Sequence, residues 1–106
     1  MNLHDLSCLL RSLELMTPRQ RRSFFDLATI RQLRIMEQAC FNLLKNPRGL
    51  TKTQLLVAQN YANYIKFLAR QHNTLNSKKR LLIQKGGFLN ILLPLLSTVV
   101  SAALSR

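Results

Sequence analysis

The chain has 106 residues and a mass of 12.2 kDa, which allows one small domain with a modest core. Hydrophobic residues make up 47%, which excludes wholesale disorder. Sixteen Lys and Arg oppose four Asp and Glu, a net charge of +12, and the last acid is Glu37, so the rest of the chain is cationic without opposition. That asymmetry points to a polyanion, either nucleic acid or an anionic membrane surface. The plainer alternative is a soluble protein that is merely basic.

Residues 3–16 set Leu3, Leu6, Leu10, Leu13 and Met16 on one stripe, the pattern of a short amphipathic helix. No basic start precedes an apolar run at the N-terminus, so no cleaved leader is expected. Thr17-Pro18 then restarts the chain, with Thr as the cap and Pro at the first helical position. The spacing predicts one long helix from Pro18 to about Lys45, its apolar face made by Phe24, Leu27, Ala28, Leu33, Met36, Cys40, Leu43 and Leu44. Arg19, Arg21 and Arg22 crowd its first turns, where positive charge opposes the helix dipole. They serve either a ligand or a solvated face.

Asn46-Pro47-Arg48-Gly49 ends that helix. Thr51 with Gln54 three positions later has the capping-box pattern and opens a helix to about Gln71, with Val57, Tyr61, Tyr64, Ile65 and Leu68 as its buried stripe. Tyr61, Tyr64 and Phe67 lie near Lys66 and Arg70. Aromatics at helical spacing are usually core, although a base-stacking platform uses the same residue types. Residues 72–77 read as a linker ending in a cap. A short basic helix over Lys78–Lys85 follows, then Gly86-Gly87, then an uncharged run from Phe88 to Leu104 interrupted by Pro94.

The expected fold is all-α: a small three-helix domain, then a short basic helix and a C-terminal apolar helix. The segments are 1–72 for the bundle, 73–87 for the basic linker and 88–106 for the apolar helix. Strand signals are absent. Cys8 and Cys40 show no metal spacing and read as buried free thiols. His4 and His72 stand at element ends and no carboxylates are paired, so neither an enzyme nor a metal or other cofactor is expected.

Phe88–Leu104 is at the lower length limit for crossing a bilayer. Its apolar residues Phe88, Leu89, Ile91, Leu92, Leu95, Leu96, Val99 and Val100 are candidates for contact with a membrane or a partner. The alternative is a helix buried by the bundle. Lys78, Lys79, Arg80 and Lys85, then Arg19, Arg21 and Arg22, are the candidate phosphate-binding residues, gripping nucleic acid without sequence choice.

The stretch Lys78-Lys79-Arg80-Leu81-Leu82-Ile83-Gln84-Lys85-Gly86-Gly87-Phe88-Leu89, continued by Leu92-Leu93-Pro94-Leu95-Leu96, resembles the C-terminal part of the adenovirus core protein X precursor. It is similar also to small helical proteins of Maverick/Polinton and adintovirus-like elements, which share a segment like Leu50-Thr51-Lys52-Thr53-Gln54. The resemblance is tight over residues 78–96 and looser over roughly 9–70. It implies a virion or core component packaged with DNA or inside the capsid, present in the host nucleus or cytoplasm during assembly, with capsid proteins as partners; a homo-oligomer is a separate expectation, from the apolar tail packing between copies. It also implies proteolytic cleavage between Gly87 and Phe88, after the Gly86-Gly87 pair. This chain departs from the cleavage pattern at Gln84, where the family has an aliphatic residue, and it lacks the dense Arg run of the mature core peptide. A membrane-active protein, lytic or tail-anchored, and an oligomerising module are the alternative functions.

Overall fold

Side-chain oxygens set where most of the helices begin. Asn2 accepts from the His4 amide at 2.8 Å and starts α1, Leu3–Leu15. Thr17 and Gln20 close a capping box over α2, Pro18–Asp26. Thr29 with Gln32, and Thr51 with Gln54, do the same for α3, Ile30–Lys45, and α4, Lys52–Asn60. The chain continues as α5, Ala62–Ala69; α6, Leu75–Gln84, capped by Thr74; and α7, Gly86–Leu104. Each such cap satisfies amides that the first helical turn leaves without a partner. This computed structural model describes residues 2–105, and among them the chain is all-helical, with no strand and with an apolar C-terminal helix.

The number and limits of the helices differ from expectation. The long helix over Pro18–Lys45 is two, because Thr29 and Gln32 form a second capping box and the chain turns at residues 27–29. That turn carries Leu27 into solvent at 81% exposure instead of into the core, and Leu44 is also exposed. The helix after Thr51 bends at Tyr61, where the amide of Tyr61 still reaches the Val57 carbonyl and the amide of Ile65 that of Tyr61. Backbone pairing thus passes through the bend, and both Tyr61 and Tyr64 reach Phe88, at ring-centroid distances of 5.7 and 5.2 Å. The basic helix starts at Leu75, three residues early, because Thr74 and not Ser77 provides the cap.

The largest departure concerns α7. It packs chiefly on α1 and also touches α2, α3, α4 and α6, while α3 pairs with α5 and α2 with α6. Among the described residues, seven of the twenty buried apolar side chains belong to α7: Phe88, Leu89, Leu92, Leu93, Leu95, Leu96 and Val100. All three segments expected from the sequence contribute side chains, among the described residues, to one core cluster. The radius of gyration, 12.7 Å, agrees with the roughly 13 Å of a compact domain near this length. Three of the polar residues that would weaken α7 in lipid have side-chain partners in other helices. Asn90 accepts from the Arg21 guanidinium, Ser97 donates to the Glu14 carboxylate, and Thr98 accepts from the Gln54 amide at 3.1 Å. Pro94 interrupts the amide ladder on the exposed side of the helix.

Gly49 fixes the loop between α3 and α4. Its φ is +88°, and a Cβ there would lie 2.7 Å from the Ala102 Cβ, so the turn lies directly against α7.

Candidate nucleic-acid interface

The seven candidate phosphate-binding residues divide into two groups. Lys78 and Arg21 are buried, at 3% and 8% exposure, and serve structure. The Lys78 Nζ donates to the Glu37 carboxylate, joining α6 to α3, and Arg34 approaches the other Glu37 oxygen at 3.4 Å. The Arg21 Nε donates to the Leu13 carbonyl at 2.7 Å and one Nη to the Glu14 carbonyl at 3.1 Å, while the other Nη holds Asn90. It thereby caps the C-terminus of α1, whose last carbonyls lack helical partners and carry the negative end of the dipole. Neither residue is free to meet a phosphate, which corrects the expectation for both.

The other five remain available. Arg19, Arg22, Arg80 and Lys85 are exposed and Lys79 is half-buried. Among the described residues both ion pairs involve Glu37, so none of these five has a carboxylate partner. Packing of α2 on α6 brings two of them together with the end of the basic helix. Arg19, Arg22 and the buried Arg21 line one side of a cleft of about 300 Å³, and Leu82, Ile83, Gln84 and Gly86 line the other. Lys85 is at its edge in sequence, between Gln84 and Gly86.

On the opposite side of α6 a second cleft of about 290 Å³ separates it from α5. Ser77, Arg80, Leu81 and Gln84 face it from α6, and Asn63, Tyr64 and Phe67 from α5. Gln84 borders both clefts. The first four residues are spaced i, i+3, i+4 and i+7, so this stripe was readable from the sequence, but it was masked by the more conspicuous run of charge. Tyr61 is half-buried against Phe88, whereas Phe67 and one side of Tyr64 line the cleft. The cation beside the aromatics is Arg80, in place of the expected Lys66 and Arg70.

The apolar candidates on α7 do not form a free contact surface. Phe88, Leu89, Leu92, Leu95, Leu96 and Val100 are buried, and Ile91 and Val99 are half-buried against the same core. By length and composition α7 is nevertheless the one helix among the described residues that could cross a membrane. At the expected cleavage bond, Gly86 and Gly87 are exposed but Phe88 is buried at 4% and its amide donates to the Lys85 carbonyl. A protease needs an extended, accessible strand of several residues, and here the residue after the bond is held under Tyr61 and Tyr64.

Cys8 is exposed, which corrects the expectation of two buried thiols, and Cys40 is fully buried. Burial pushes the Cys40 thiol up to about 12; the Lys78 charge opposes that rise and Glu37 adds to it. Among the described residues no three of His, Cys, Asp and Glu gather as a metal site would require. Comparisons with protein-family models, curated proteins and solved structures gave no match.

Proposed function

We propose that the protein is a non-enzymatic nucleic-acid-binding component of a virus-like particle, gripping the phosphate backbone with the cations that flank α6. The observation that carries this reading is the set of cations around α6: Arg19, Arg22, Arg80 and Lys85 stand exposed near the two clefts, and among the described residues none of them is in an ion pair. The net charge of +12 supplies the long-range attraction to a polyanion. The particle setting rests on the resemblance of residues 78–96 to the adenovirus core protein X precursor.

Contacts of this kind give affinity without sequence preference and a strong salt dependence. If four cations contact phosphates, the slope of log affinity against log salt on duplex DNA is about −3.6. Fluorescence anisotropy of labelled duplex over a salt series measures it. Joint neutralisation of Arg19, Arg22, Arg80 and Lys85 to Gln should remove most of the binding and flatten the slope. Salt-independent affinity, or a neutralised variant that binds as the parent does, rejects the assignment.

A second reading is favoured by the length and apolarity of α7, which suit a membrane-active protein whose cations attract anionic lipid. Full-length protein mixed with vesicles rich in anionic lipid and then digested with protease tests it. Recovery of α7 peptides as the protected fragment supports insertion, and complete digestion of α7 removes this reading.

A further inference from the structure

We propose that the cleft between α5 and α6 is a base-binding site that holds one unpaired base of a single-stranded nucleic acid. The inference rests on the nucleic-acid reading above and adds the state of the strand that is preferred. The cleft joins the three chemistries a nucleotide presents. Tyr64 and Phe67 offer aromatic surface for the face of a base, the Asn63 and Gln84 amides offer donors and acceptors for its edge, and Arg80 offers a cation for its phosphate. At about 290 Å³ the cleft is at the small end of the roughly 300–1,000 Å³ typical of ligand pockets, which suits a single planar group.

The Tyr64 side of the aromatic wall is already in place before any ligand arrives. Tyr64 is seated against Phe88, with ring centroids 5.2 Å apart, and against Tyr61 at 6.4 Å, so little side-chain freedom remains to be lost on binding. Because the cleft meets the α2–α6 cleft at Gln84, a strand whose base is held between α5 and α6 can run its backbone toward Arg19 and Arg22. Bases inside a duplex are stacked on one another and cannot enter. Single strands therefore gain a contact that duplexes do not, and since every base has a π-face the gain tolerates any sequence.

The chain has two Tyr and no Trp, so its ultraviolet emission reports directly on this region. Full-length protein is titrated with a thymidine strand of about fifteen nucleotides and with a duplex of equal length. The single strand is expected to quench tyrosine emission while the duplex leaves it nearly unchanged. Phe67→Leu, which keeps apolar bulk but loses the ring, should weaken single-strand binding about fivefold or more and leave duplex binding within about twofold. Should that variant fail to fold, the pair Asn63→Ala and Gln84→Ala alters only exposed side chains and is expected to weaken single-strand binding about fivefold. Equal effects on both nucleic acids, or no quenching by either while binding retains its salt slope, overturn the base site and leave the phosphate grip standing. Absent or salt-independent binding of both overturns the two together.

Discussion

Replacing Lys78 by Met separates a buried structural cation from a nucleic-acid contact. Lys78 is 3% exposed and its ammonium is held by the Glu37 carboxylate, itself 6% exposed. Loss of one partner from a buried pair costs about 3–5 kcal/mol, because the remaining charge is left in a poorly polarisable interior. Arg34, at 3.4 Å from Glu37 and mostly in solvent, offsets part of that, so the lower figure applies. A domain of this size has roughly 5–15 kcal/mol of total stability. With a urea dependence of roughly 1.5 kcal/mol per molar, a loss of about 3 kcal/mol moves the unfolding midpoint down by about 2 M. The double variant Glu37→Leu/Lys78→Met removes both charges and should recover most of the loss. Circular dichroism during urea titration measures the stability, and anisotropy on duplex DNA at conditions well below the midpoint measures the salt slope. That slope should be the parent's, whereas Arg80→Gln should reduce it by about 0.9. An unchanged midpoint together with a slope reduced by about 0.9 would refute the burial argument and return Lys78 to the surface.

Deleting residues 88–106 removes seven buried side chains and should leave an uncooperative chain; a sharp thermal melt of residues 1–87 followed by circular dichroism would contradict this. Gly49→Ala forces a positive φ on a residue with a Cβ and crowds Ala102, so a loss of about 2 kcal/mol is expected, read as a fall in Tm of about 8 °C or more. A maleimide should label Cys8 in the native protein and Cys40 only after unfolding, which mass spectrometry of timed samples resolves. The Cys40 thiol also predicts an alkaline limb. Between its ordinary value of 9.0 and about 12 the unfolded chain has released a proton that the native one keeps, so stability is full below pH 9 and falls by about 1.4 kcal/mol per pH unit above it. Cys40→Ala should flatten that limb in denaturant titrations at pH 8 to 10.

Local chemistry explains which parts of the fold were readable. Helix type, the Thr17-Pro18 start, the 46–49 break and the Thr51 cap rest on signals a few residues long, and all appear in the structure. The same Thr-x-x-Gln signal at Thr29 was hidden by a continuous apolar face on both sides of it, so two helices read as one. The fate of the cations was not legible. Lys78 meets Glu37 across 41 positions and Arg21 meets Asn90 across 69, and no periodicity marks a basic residue as the partner of so distant a group. The aromatic stripe was illegible for a similar reason: Tyr61 and Tyr64 meet Phe88 from a distant segment, while Phe67 and one side of Tyr64 face α6.

The membrane question turns on the energy of freeing α7. A fully buried aliphatic or aromatic side chain gains about 1.5–3 kcal/mol from leaving water, so seven of them account for roughly 10–20 kcal/mol. Ordering the helix offsets part of that gain, yet the burial is comparable with the roughly 5–15 kcal/mol by which an entire domain of this size is stable. Release of α7 into water while α1–α6 stay folded is therefore not an accessible state, and release is equivalent to opening the bundle. Asn90, Ser97 and Thr98 add to the cost, since each would exchange a partner in the protein for hydrocarbon. A membrane could accept α7 only by replacing its protein surroundings in the same event that unfolds them. Insertion, if it occurs, must then proceed together with loss of the near-ultraviolet signal of Tyr61 and Tyr64 against Phe88. Protection of α7 by vesicles with that signal intact would break the equivalence between release and opening.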